Sequence, residues 1–60
     1  MTEQIIQLLR EKGPMKASEI INELLNRKAG DEYDIREGIW SLWRSDRVVV
    51  SPDRYLNLAN

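Results

Sequence analysis

The chain has neither cysteine nor histidine in its 60 residues. Without cysteine there is no disulfide framework and no zinc–thiolate site. Losing both residue types removes the commonest general base, the strongest nucleophile and the usual soft-metal ligands at once. The sequence is therefore expected to be no enzyme and to hold no cofactor, no metal and no small-molecule substrate. The one acidic concentration, Asp31, Glu32 and Asp34, lacks the alternating oxygen ligands and distal glutamate of a calcium loop. It reads as a solvated loop that caps the helix after it. No apolar run approaches the roughly 20 residues needed to cross a bilayer. Glu3 and Gln4 stand where a signal peptide would carry a basic region and an apolar stretch, and the expected location is the cytoplasm.

What is present is the composition of an ordinary globular protein, 42% hydrophobic and 32% charged. Its length allows one domain, residues 1–60, with one core. A chain this short buries only roughly 60% of the surface its unfolded form exposes, so a partner or second copy is expected to help hold it. Beginning at Met1 and running out near a last strand, it is expected to be a complete small protein. The formal net charge is −1 and the pI about 5.3. Neither supplies a strong bulk pull toward nucleic acid, so any such contact must come from where individual arginines point.

Hydrophobic periodicity predicts a helix over 2–12, with Ile5, Ile6, Leu8 and Leu9 at i, i+3, i+4 spacing. Thr2 is its expected cap, and Gly13–Pro14 its stop. A second helix is predicted over 17–27, its apolar stripe made by Ala17, Ile20, Ile21, Leu24 and Leu25. Met15 is expected to sit before it as one or two residues of strand. Gly30 is the expected stop after it. A third helix is predicted over 34–45, with Asp34 as N-cap and Glu37 completing a capping box. At about 100° per residue, Ile35, Gly38, Ile39 and Leu42 share its inner face. Asp46 is expected in the left-handed conformation that closes it. The period then changes. Val48–Val50 and Tyr55–Leu58 predict strands near 47–50 and 55–58, joined by a Ser51–Pro52–Asp53–Arg54 turn. Two strands alone are unstable, so Val48, Val50, Leu56 and Leu58 are expected to pack on the helices.

Three helices followed by Asp46–Arg47–Val48–Val49–Val50–Ser51–Pro52–Asp53–Arg54–Tyr55–Leu56–Asn57–Leu58 resemble the winged helix-turn-helix superfamily. Its members often carry a helix ending in leucine, three residues, a turn residue, and then two short strands around a polar turn. Here these are Leu42, Trp43–Arg44–Ser45, Asp46 and Val48 onward. Gly13–Pro14–Met15–Lys16–Ala17–Ser18–Glu19–Ile20 likewise resembles the approach to the family's second helix. Three features depart from the pattern: Lys16 where a capping Ser or Thr is usual, a long connection between helices 2 and 3, and Asp46 where Gly is frequent. The resemblance implies a mainly α fold with a small β-hairpin, a plain three-helix bundle with a frayed tail being the alternative. It also implies duplex DNA binding by a transcription regulator or nucleoprotein component. Helix 3 would lie in the major groove and the hairpin on the backbone.

The residues that would carry this are Arg36, Trp40, Ser41, Arg44, Arg47 and Arg54. Arg36, Trp40 and Arg44 lie on one i, i+4 ridge of helix 3, Trp40 about 150° from the centre of the inner stripe. The arginines suit phosphates or guanine edges; equally, they can simply be solvated and paired with Glu37 and neighbouring acids. Arg47 and Arg54, at the base and tip of the hairpin, suit phosphate or minor-groove contact, although the tip is also simply a good turn. Trp43 is expected to be mostly buried. Trp40 is either a surface anchor or packed beneath the hairpin or the first helix. Since Trp and Arg are enriched in interface hot spots, a protein-interaction module using Trp40, Arg36 and Arg44 is the alternative function. A homodimer or a larger assembly is expected in either case.

Overall fold

The structure, a computed structural model, describes residues 1–59. In chain order it contains α1 (Thr2–Lys12), β1 (Met15–Lys16), α2 (Ala17–Asn26), α3 (Glu32–Arg44), β2 (Val48–Val50) and β3 (Tyr55–Leu58). The strands form one antiparallel sheet in the order β1-β3-β2. Met15 is thus a strand residue, as its position between two helices predicts, and it makes the hairpin part of a three-stranded sheet. Leu56 in the central strand pairs with Met15 on one side and with Val50 on the other. Side chains directly opposite each other share a face of the sheet, so these three form one row across it, on the face that Val48 also uses.

That face meets the three helices. Ile5, Leu8 and Leu9 of α1, Ile20 and Leu24 of α2, and Ile35 and Leu42 of α3 close over Met15, Val48 and Leu56, all buried. Helical cover ends before β2 does. Val48 is 1% exposed but Val50, two residues nearer the turn, is 48% exposed, so the expectation that Val50 packs on the helices is corrected. Leu25, expected in the stripe of α2, is likewise exposed. Gly38 brings α1 and α3 together. A Cβ built there would stand 2.8 Å from both Ile5 Cδ1 and Met1 Cγ, inside van der Waals contact.

The helix ends are set by local hydrogen bonding. At the close of α2, Lys28 takes φ 56°, and the amides of Lys28 and Ala29 donate to the carbonyls of Leu25 and Leu24. The close of α3 repeats the pattern. Asp46 takes φ 60°, with Asp46 and Arg47 amides donating to Trp43 and Leu42 carbonyls. Both are Schellman closures, and Asp46 fills the left-handed place the sequence assigns it. Lys28, not Gly30, stops α2; no residue type marks it in the sequence. Two further corrections concern helix starts. Met1 rather than Thr2 is the N-cap of α1, Thr2 being already helical. Asp31 rather than Asp34 is the N-cap of α3, its carboxylate accepting from the Asp34 amide at 2.9 Å. Glu37, three residues on from Asp34, therefore lies well inside the helix. At α2, Lys16 is the N-cap and its amide donates to Glu19 Oε1. Lysine has no acceptor, so only this half of the reciprocal cap can form.

Among the described residues, no helix is long and apolar enough to cross a membrane.

Candidate functional site

Past the end of the helical cover, α2, α3 and the hairpin diverge and leave an open groove of about 460 Å³. Its walls follow from the elements already described. Ala17 and Ile21 come from the first turns of α2, Ile39, Trp40 and Trp43 from α3, and Val50 and Leu56 from the sheet row. On α3, residues three and four apart are neighbours. Ile39 and Trp43 accordingly line up beside the buried Ile35 and Leu42, and Trp40 extends the apolar surface outward. The two indoles lie against each other, ring centroids 4.8 Å apart and planes tilted by 36°. Trp40 is 48% exposed and Trp43 46%.

Trp43 is thus not the mostly buried residue the sequence suggests. It lines the groove together with Ile21 and Val50, and its ring packs against that of Trp40. The pairing with Trp40 was open to sequence reasoning through the i, i+3 spacing alone. The contributions of Val50 and Ile21 depend on where two other elements stop, which no local pattern reveals.

The charged groups lining the groove are Arg36 and Arg54, both cations. Arg36 is exposed and bonds back along α3 to Glu32, Nη2 to Oε2 at 2.6 Å and Nε to Oε2 at 2.8 Å. Its carboxylate partner is therefore Glu32, one turn earlier, and not Glu37. Arg54 owes its position to the turn. Its amide donates to the Ser51 carbonyl and the Ser51 amide to the Tyr55 carbonyl. Arg54 itself adopts φ 68°, a conformation that favours glycine. Ser51 supports the bend, its hydroxyl bonding the Asp53 carboxylate and accepting from the Tyr55 amide. On the other face of the sheet, where Lys16 pairs with Tyr55, the Lys16 ammonium stands 5.6 Å from the centroid of the Tyr55 ring. That distance lies within reach of a cation–π contact.

The residues singled out from the sequence fall in different places. Arg36, Trp40 and Arg54 meet at the groove. Arg44 is exposed on the last turn of α3. Ser41 is turned the other way, toward a hollow between α1 and α3 that it shares with Gln4, Glu37 and Gly38. Arg47 borders a third hollow with Ile6, Arg10 and Leu58. Several charges are engaged far from the groove. Arg27 bonds both Glu23 and Glu11, and Lys12 reaches Glu23, so these four join the outer sides of α1 and α2. No family model, no curated protein and no solved structure matches this chain.

Proposed function

We propose that the chain is a winged helix-turn-helix domain that works as a binding module, holding a protein partner in the groove of Trp40 and Trp43. Three helices with a small antiparallel sheet formed around a hairpin are compatible with that fold. The observation that carries the functional reading is the pair of half-exposed, mutually packed tryptophans on an apolar wall shared by three elements. Clustered exposed apolar surface on a small protein marks a place where something docks, and tryptophan flanked by arginine is the composition of interface hot spots.

Duplex DNA is the second reading, favoured by Arg36 and Arg54 on the same face, since the third helix and hairpin of this fold are its usual DNA-contacting parts. On the other side, a net charge of −1 gives little long-range attraction to phosphate.

Selection of peptides from a random displayed library separates the two readings when run on the wild type and on a Trp40→Ser/Trp43→Ser variant. The wild type should enrich ligands that the variant does not retain. Equal enrichment on both proteins, or none on the wild type, contradicts the proposal. For DNA, a titration at two salt concentrations is the matching test. If Arg36, Arg44 and Arg54 each meet a phosphate, the log–log salt slope should be roughly −3.

A further inference from the structure

We infer, resting on the reading of the groove as a protein-docking site, that its occupant is a short amphipathic segment whose apolar anchors are flanked by aspartate or glutamate. The groove offers two kinds of contact. Its floor and walls, from Ile21, Ile39, Trp40, Trp43 and Val50, are apolar and take side chains such as leucine or phenylalanine. Its charged lining consists of two guanidinium groups, Arg36 and Arg54. Both charged groups that line the groove are thus cations, on a chain with one more acidic than basic residue. Glu32 engages Arg36 from one side on an exposed helix surface, where such pairs are weak and exchange readily. The planar fork of a guanidinium has donors left for a second carboxylate.

The same features disfavour a second copy of this chain. In a two-fold dimer the patch meets itself, which sets Arg36 and Arg54 of one copy near those of the other, with no acid inside the groove to separate them. They also disfavour a nucleic-acid backbone, which needs cations but leaves the apolar walls uncovered. An amphipathic helix laid in a groove, with anchors at i, i+3, i+4 and i+7, uses both. Complementary charges around apolar anchors chiefly set partner choice and association rate.

Three probes test this against the intact chain, read by the emission of Trp40 and Trp43. Two synthetic helical peptides share leucine anchors at i, i+3, i+4 and i+7 and differ only in flanking residues, all glutamate or all lysine. The third probe is a mixed-sequence duplex DNA. At low salt the glutamate peptide should bind about tenfold more tightly than the lysine peptide, a difference of about 1.4 kcal/mol. The gap should shrink as salt screens the rim. An Arg36→Gln/Arg54→Gln variant, checked for retained helicity by circular dichroism, should lose that preference and still bind both peptides. Equal binding of the two peptides by the wild type overturns the inference about charge while leaving the groove as a docking site. Failure of both peptides to shift the emission overturns the docking site as well. So does a duplex that binds more tightly than either peptide and is weakened by the same double variant. A dimer of the free chain that Trp40→Ser/Trp43→Ser dissociates makes a second copy the occupant and overturns the acidic segment.

Discussion

Trp40 and Trp43 each leave nearly half their surface in water and cover part of the other's remainder. Their contribution to stability is accordingly that of a packed surface pair, well short of the 3–5 kcal/mol that deleting a core tryptophan costs. Trp40→Ala should destabilise by about 1 kcal/mol in urea unfolding. A double-mutant cycle with Trp43→Ala should show a coupling of about 0.5–1.5 kcal/mol, the range for packed aromatic pairs. A chain unfolded by Trp40→Ala alone would put that residue in the core and remove the groove. Gly38 and Gly30 make a second contrast at this scale. A Cβ at Gly38 meets Ile5 Cδ1, a fully buried atom, and Met1 Cγ. Gly38→Ala should therefore lose about 1–3 kcal/mol from overpacking, outweighing a helix-propensity gain of about 1 kcal/mol. At Gly30 the nearest obstacle is the terminal methyl of Met1, the end of a flexible side chain. Gly30→Ala should be close to neutral, and a loss there as large as at Gly38 would show that α1 and α3 are placed differently.

At the scale of elements, the start of α3 is where sequence and structure differ most usefully. Asp31 and Asp34 both precede apolar periodic residues, and both are good caps by type. The sequence favours Asp34 because Glu37 stands three residues after it. The chain instead turns helical one residue after Asp31, whose carboxylate takes the Asp34 amide. Asp31→Ala should then lose about 1 kcal/mol, measurable by thermal unfolding. Asp34→Ala should lose much less. The reverse order would restore the later start. The remaining elements were legible to differing degrees. Helix α1 and strand β3 fall where the periodicity puts them, because Gly13–Pro14 and the Ser51–Arg54 turn punctuate them with residues of fixed conformational preference. Helix α2 is closed by Lys28, two residues past its last turn, which adopts a left-handed conformation that its type does not advertise. Only the carbonyls of Leu24 and Leu25, waiting for donors, explain it. The groove was half legible. Helical spacing shows that Arg36 and Trp40 share a ridge, but Ser41 and Arg47 were grouped with them by residue type and face other hollows.

For the whole molecule, the consequence of small size is that the apolar residues outnumber the places available to bury them. A single core takes ten of them and closes. The surplus on α3 and β2 collects where the helices stop covering the sheet, and the left-handed turn brings Arg54 alongside it. A protein of 60 residues has on the order of 3–9 kcal/mol of stability in total, and exposed tryptophans add little to that. A ligand that binds only the folded chain raises its stability with concentration, by about 2.7 kcal/mol at a hundred times its Kd. Bound partner should therefore raise the melting temperature of the wild type and leave that of Trp40→Ser/Trp43→Ser unchanged. The most direct measurement is an NMR titration of the isotope-labelled chain with the glutamate-flanked peptide. The indole N–H signals of Trp40 and Trp43 and the amides of Ile21, Ile39 and Val50 should move together along one binding curve. Shifts confined to Ser41, Arg47 and the exposed side of α1, with both indoles stationary, would contradict the assignment of this groove as the binding surface.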